Sequence, residues 1–349
     1  MRVMIAPDSF GETLTSAQAC AAIAAGWARV RPADEAVPVP QSDGGPGFVD
    51  VLAASGGRVQ QARVSGPLDD ETTAQWLLDG DTAYLESAQA CGLGLLGRVP
   101  DDDTALRAHS RGVGQLVRAA LDAGAHRIVL GLGGSSCTDG GRGLVEALGG
   151  WDAALRALDG VDLVAATDVE NTLLGPHGAA YVFGPQKGAG ARTVRVLEDA
   201  NAEWAARLDG WGHAVADAPG AGAAGGIGAA LLALGAQRAS GARVVADRSG
   251  QDEQLAAADL LVTGEGRLDR QSLRGKAVIA LASAARAASV PTVCVAGQVE
   301  LTTAELSEAG IEAAYSLVEH AGTLERALSD AENQLMSLAA SVAGTRPEP

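Results

Sequence analysis

Residues 2–45 read RVMIAPDSFGETLTSAQACAAIAAGWARVRPADEAVPVPQSDGG. Residues 2–6 form an apolar run of strand length that ends at Pro7-Asp8-Ser9. Residues 16–30 place Ala, Ile and Trp on one helical face, with Ser16 as the expected N-cap. Residues 36–40 form a second strand, ending in Gln41-Ser42-Asp43-Gly44-Gly45. Strand, turn, helix and strand in this order predict a parallel α/β sheet.

The pattern changes after about Gly57. Residues 58–65, 72–78 and 82–87 read as short strands separated by Gly66-Pro67 and Asp79-Gly80-Asp81, which suits hairpins. Helical residues 113–123, a strand at 127–132, a helix at 143–148, a strand at 161–166 and a charged helix at 192–208 follow. The parallel pattern resumes with strands at 260–263, 292–296 and 313–318, a helix at 277–288 and a closing helix at 323–343. The expected architecture is α/β: a Rossmann-like parallel-sheet domain formed by both chain ends (1–58 and 246–349), with a second, mixed α/β domain inserted (59–245).

The chain has 349 residues, 26 Lys and Arg against 43 Asp and Glu, and a net charge of −17. That balance speaks against nucleic acid as a partner, because phosphate backbones demand a basic footprint, and against an anionic membrane surface. No apolar stretch reaches 18 residues, and the N-terminus does not read as a signal peptide. A cytoplasmic protein is expected. Glycine supplies 46 of 349 residues, about 13% against roughly 7% in ordinary chains. The four cysteines show neither zinc spacing nor a disulfide framework. The five histidines make no metal-ligand pattern.

Acids and glycines gather where strands end, the usual place for ligands in open α/β sheets. These are Asp8, Asp43-Gly44-Gly45, the segment Gly131-Leu-Gly-Gly-Ser-Ser-Cys-Thr-Asp139-Gly-Gly141, Asp168, and Thr263-Gly-Glu265-Gly-Arg267-Leu-Asp269. Each alone is ordinary turn chemistry. Together they suggest a cleft for a hydroxyl-bearing ligand or a divalent cation such as Mg²⁺. Gly133, Gly134, Ser135 and Ser136 suit a phosphate cradle of backbone N–H groups and hydroxyls. Lys187, framed by Gly and Pro in Phe183-Gly-Pro-Gln-Lys-Gly-Ala189, is a candidate anion contact, as is Lys276. No Walker A motif is present. Gly220-Ala-Gly-Ala-Ala-Gly225 matches GxGxxG, with a strand expected at 242–246 and then Asp247, so a nicotinamide-dependent oxidoreductase is a remote alternative.

Taken together, these segments resemble the bacterial glycerate kinase family of the glycerate 2-kinase type. The resemblance is carried by Ala6-Pro-Asp-Ser-Phe10, Asp43-Gly-Gly, Gly131–Ser135 with Asp139-Gly-Gly141, Asp168-Val-Glu-Asn171, FGPQKGA at 183–189, GAGAAGG at 220–226, and DLLVTGEGR at 259–267 with Asp269, Gln271, Gly275 and Lys276. It implies ATP-dependent phosphorylation of D-glycerate to 2-phosphoglycerate with Mg²⁺, in a cleft between two α/β domains.

On that reading ATP meets Gly133, Gly134, Ser135, Ser136 and Lys187. Mg²⁺ falls to one or two of Asp139, Asp168 and Glu265. Asp43, or else Asp8, orients the acceptor hydroxyl, and Ser9, Arg267, Asp269 and Lys276 meet substrate. The sequence departs from the family pattern at Gly11 (usually Lys), Pro46-Gly47-Phe48 (usually Glu-Gly-Thr), Thr138 (usually Asn) and Arg142 (usually a small residue). These departures admit two further readings: another small hydroxy acid as substrate, or a binding module without catalysis.

Overall fold

The computed structural model describes residues 1–11, 13–274 and 277–346. Its strands are β1 Arg2–Pro7, β2 Glu35–Pro38, β3 Arg58–Ser65, β4 Glu71–Asp79, β5 Thr82–Glu86 and β6 Arg127–Gly131. They continue as β7 Asp162–Ala166, β8 Gln237–Ala239, β9 Leu260–Leu268, β10 Thr292–Val299 and β11 Ala313–Ser316. The chain divides into two compact units, Met1–Ser42 with Val245–Pro349, and Asp43–Val244.

The first unit is built on a five-stranded sheet of order β2-β1-β9-β10-β11, with every pairing parallel. Counted within the unit this is the order 2-1-3-4-5, one of the two common doubly wound arrangements. β1 is buried from Val3 to Ala6, as expected of a strand covered on both faces. The helix Ser16–Val30 packs Ala19, Ile23 and Trp27 into one core with Leu335, Leu338 and Val342 of the closing helix. Gly26 lets the two helices touch, because a Cβ there would run into the carbonyl of Met336.

Thr15, not Ser16, caps the helix Ser16–Val30, in a reciprocal box with Gln18. Ser16 lies one residue further in and is buried. Its hydroxyl donates to the Pro7 carbonyl (2.7 Å) and accepts the Gln41 N–H (2.7 Å), tying the chain beyond β2 to the end of β1.

β9 is longer than the expected strand at 260–263. Pairing with β10 continues through Arg267↔Gln298 and Leu268↔Val299, so Glu265 and Arg267 lie within a strand. The expected closing helix is two, Leu324–Ser329 and Ala331–Gly344. They part at Asp330, whose carboxylate accepts from Asn333 and Gln334.

The second unit holds a six-stranded sheet in chain order, β3-β4-β5-β6-β7-β8. The first two pairings are antiparallel and the remaining three parallel. The expected strand at 242–246 is part of a helix, Gly241–Ser249. Residues 43–57 belong to this unit rather than to the first, so its start lies at 43 and not at 59. The physical reason is the short helix Phe48–Ala53. Phe48, Val49, Val51 and Leu52 are buried, and Glu86 at the end of β5 accepts the N–H groups of Gly47 and Val49. Among the described residues no helix is long and apolar enough to cross a membrane.

One buried carboxylate staples the first unit. Asp34, whose side chain is 4% exposed, accepts from Trp27 Nε1 (3.0 Å), Arg31 Nε (2.6 Å) and the Met1 amino group (3.0 Å). Burial pushes its pKa up, but these partners, Arg31 foremost, pull it down from 3.8 to about 2. A folded value below the unfolded one contributes stability that is present above about pH 4 and is lost as the pH falls through 2. The difference corresponds to about 2 kcal/mol. Asp34→Asn is expected to lose about that much at pH 7 in urea unfolding, and the loss should vanish near pH 2. An unchanged midpoint at pH 7 would refute it.

Candidate active site

Strands β5 to β8 run parallel, so Glu86, Gly131, Ala166 and Ala239 end on one edge of the second sheet. The segment Asp43–Gly47 lies across that edge in backbone-to-backbone contact. A Cβ on Gly44 would stand 2.7 Å from the Ala166 carbonyl oxygen, and one on Gly133 would stand 2.5 Å from the Gly45 Cα. A Cβ on Gly241 would collide with the Asp43 carbonyl. Only glycine permits these approaches. The carboxylates of Asp43 and Asp168 are both exposed there. Asp43 accepts the Gly45 N–H (3.0 Å), and Asp168 accepts the Ala242 N–H (3.1 Å). Residues 241 and 242 therefore touch both acids.

The loop after β6 is held by its neighbours. Gly134 accepts the Leu93 N–H (3.0 Å). Ser136 gives its N–H (2.7 Å) and its hydroxyl (2.9 Å) to the Cys91 carbonyl. The expectation that residues 133–136 all turn donors into one concavity therefore fails at Ser136, whose donors fasten the loop instead. Ser135 remains, buried and in contact with Lys187.

Lys187 lies at the end of a short 3-10 turn, Pro185–Lys187, and is 3% exposed. Its Nζ donates to Ser135 Oγ (3.0 Å) and to the Cys137 carbonyl (2.6 Å). Both acceptors are neutral, and among the described residues its ammonium has no carboxylate within ion-pair distance. An ammonium has three N–H bonds, so one is left for a ligand. Burial pulls its pKa below the ordinary lysine value, and a phosphate would reverse that. Gly225 makes room for this arrangement. Its φ is +69°, and a Cβ there would meet the Cys137 carbonyl and stand 2.9 Å from Lys187 Nζ. Ala224, Gly225 and Gly226 all have left-handed backbone, and Gly225 accepts the Gly140 N–H (3.1 Å). The GxGxxG segment thus backs the lysine. The strand after its helix is β8 at 237–239 rather than 242–246, and residues 213–219 hold no strand to lead into Gly220, so the dinucleotide fingerprint is incomplete.

Asp139 was expected to bind metal. Its Oδ2 accepts from Ser110 N (2.9 Å), Ser110 Oγ (2.8 Å) and Gly143 N (3.1 Å), and its Oδ1 accepts from Gly141 N (3.1 Å). With four donors already on it, the carboxylate is a structural clamp between the loop and two helix starts. Arg142 gives an N–H to the Ala200 carbonyl (3.1 Å) and lies over the Trp204 ring, 5.5 Å from its centroid. Trp204 in turn donates to the Gly140 carbonyl (2.9 Å). Sequence reasoning did not single out Glu86, Ser110 or Trp204. A visible signal existed only for Glu86, a charge closing an apolar strand.

In the first unit, β1 and β9 flank the point where strand order reverses, the usual ligand position in such sheets. Asp8 donates its N–H to the Gly264 carbonyl (2.7 Å) and accepts the Ser9 N–H (2.6 Å), and Gly266 donates to the Ser9 carbonyl (3.2 Å). Asp8, Ser9 and the end of β9 are thereby brought together. Glu265 is buried within β9. Arg267 pairs with Glu300 (3.2 Å) and Gln298 (3.1 Å) on the exposed face. Asp269 accepts the N–H groups of Gln271 and Ser272. Lys276 lies outside the described residues. Among the described residues no three His, Cys, Asp or Glu side chains gather as a metal cage.

The glycerate kinase family model matches residues 3–152 and 151–346. A glycerate 2-kinase of Escherichia coli is 37% identical over 374 residues, covering 99% of this chain and 98% of that protein. A glycerate kinase of Bacillus subtilis is 38% identical, covering 99% and 97%. A protein of Mycobacterium tuberculosis described as uncharacterized is 56% identical over 98% of this chain and 91% of its own length. The crystal structure of a putative glycerate kinase 2 from Salmonella typhimurium superimposes with a TM-score of 0.78 at 34% identity, over 99% of this chain and 98% of that one. Fold and relatives together define a kinase. The chain belongs to the glycerate kinase family.

Gly225→Ala adds a clash to a left-handed backbone and is expected to destabilise the protein by about 3 kcal/mol. Chemical denaturation checks it. A loss below about 0.5 kcal/mol would show that the loop behind Lys187 gives way freely.

Proposed function

We propose that this chain transfers the terminal phosphoryl group of ATP to the 2-hydroxyl of D-glycerate, giving 2-phosphoglycerate. The observation that carries this reading is Lys187, a buried ammonium on neutral acceptors with one N–H unused, beside the glycine-rich loop. Phosphoryl transfer asks a protein mainly to position groups and neutralise charge. Lys187, Ser135 and the backbone of Gly133 and Gly134 form the phosphate contact. Asp43, exposed on the same sheet edge, orients the acceptor hydroxyl and receives its proton, with Asp8 as the second candidate. Ser9, Arg267, Asp269 and Lys276 remain the proposed contacts to the glycerate carboxylate and hydroxyls.

Mg²⁺ neutralises phosphate charge in such reactions and needs only one or two carboxylates beside the phosphates. Asp168 fits that role, because its carboxylate is exposed and accepts the Ala242 N–H at one oxygen. Glu265 stays a candidate on the first unit, whereas the four donors on Asp139 leave it unsuited.

Turnover with ATP, Mg²⁺ and D-glycerate, with the products resolved by NMR, tests the proposal. The expected product is 2-phosphoglycerate, and 3-phosphoglycerate would move the acceptor assignment. Turnover only with another hydroxy acid would trace to the Gly11 and Pro46 departures. ATP binding without any acceptor would favour the binding-module reading. Lys187→Met is expected to lower kcat/KM for ATP by about 100-fold or more with the fold intact. Lys187→Arg should not rescue it, since a planar five-donor group does not fit where a compact ammonium is enclosed. Turnover within threefold of wild type in Lys187→Met would sink the assignment.

A further inference from the structure

Glu86 closes β5 and is 2% exposed. A carboxylate so enclosed is costly unless it works for the fold around it. One oxygen, Oε2, accepts both the Gly47 N–H (3.1 Å) and the Val49 N–H (3.3 Å). Those two donors stand at the end of the segment that begins with Asp43. The segment touches its surroundings through backbone at Gly44 and Gly45 and through the Pro46 ring, which packs against Gly134. Just beyond it the Phe48 ring packs on Gly131. Glu86 adds a polar anchor on either side of Phe48, and its own backbone is locked to the sheet by the pairing Glu86↔Gly131.

From this geometry we infer that Glu86 is a positioning residue for Asp43. It acts through the N–H groups of Gly47 and Val49 and sets where the exposed carboxylate stands relative to the glycine-rich loop. Glu86 touches no reacting atom. The inference rests on the kinase reading above. Because both donors meet a single oxygen, a glutamine carbonyl can replace the carboxylate, whereas alanine cannot. The hydrogen-bond acceptor matters here rather than the charge.

The test compares wild type, Glu86→Gln and Glu86→Ala in two measurements. Amide hydrogen exchange reads the anchor directly, and steady-state turnover with ATP, Mg²⁺ and D-glycerate reads its effect. Glu86→Gln is expected to keep protection at residues 47 and 49 and a kcat within about threefold of wild type. Glu86→Ala is expected to lose that protection and about 30-fold in kcat, with KM for ATP within twofold because Lys187 and Ser135 are untouched. A general loss of folding would raise exchange everywhere and depress both parameters together, which Glu86→Gln, with nearly the same shape, guards against.

Glu86→Ala with exposed amides at 47 and 49 and wild-type kcat would overturn the inference. So would a Glu86→Gln variant as impaired as Glu86→Ala. A wild-type protein that phosphorylates nothing overturns the kinase reading itself, and the role inferred for Glu86 with it. An active wild type beside an unimpaired Glu86→Ala overturns the inference alone.

Discussion

Where the segment Asp43–Gly47 crosses the ends of β6, β7 and β8, main chain lies directly on main chain at Gly44, Gly133 and Gly241. The rest of the second unit follows from that constraint. Two backbones can come this close only with glycine at Gly44, Gly133 and Gly241, and only if their polar groups find partners. The strands must be parallel, so that their carboxyl ends share one edge. The loop after β6 must be tied down from outside, which Cys91 does through Ser136 and which Asp139 does from the helix starts at Ser110 and Gly143. Around this packing stand two exposed carboxylates, Asp43 and Asp168, and one buried ammonium, Lys187.

The ammonium decides the electrostatics of the edge. The chain carries 26 basic side chains, and only two are lysines, Lys187 and Lys276. Surface charge has been given to arginine throughout, while a lysine occupies the enclosed position. Arginine would bring five donors to a site that offers Ser135 Oγ and the Cys137 carbonyl. Holding a cation on neutral acceptors in a buried place is unfavourable on its own, and an arriving phosphate removes the penalty. Such a site favours anions although the protein carries a net charge of −17.

Much of this was legible in the sequence. The buried strands β1, β6 and β7 stand out as apolar runs, and the hairpins β3 to β5 follow from Gly66-Pro67 and Asp79-Gly80. The glycine-rich loops locate the sheet edge because close backbone approach leaves a mark in composition. The pattern says less where partners come from distant parts of the chain. Glu265 and Arg267 look like turn residues until β10 pairs beside them. Residues 242–246 have strand composition but run on as helix from the glycine at 241. Asp139 and Asp168 are indistinguishable as letters, yet one is enclosed by four donors and the other is exposed. Glu86 and Trp204 act through main-chain groups, and such contacts leave no motif.

The positions at which this chain leaves its family's pattern have physical readings of their own. Gly11 adopts φ +59° in open surroundings, where a lysine would carry the left-handed penalty of roughly 1 kcal/mol. Pro46 has no N–H and a fixed φ, so it stiffens the segment between Asp43 and Gly47 while its ring packs on Gly134. Arg142 does not return a cation to the loop, because Trp204 and the Ala200 carbonyl hold it. Thr138 is buried with its hydroxyl unpartnered, and nothing in the structure accounts for it. None of these residues is Lys187 or Ser135. The changes therefore bear on how Asp43 is carried and on what the β1 turn presents, and so on the acceptor. Lys187 and Ser135 keep the family residues, and of the departures Pro46 alone packs on the proposed phosphate loop, at Gly134.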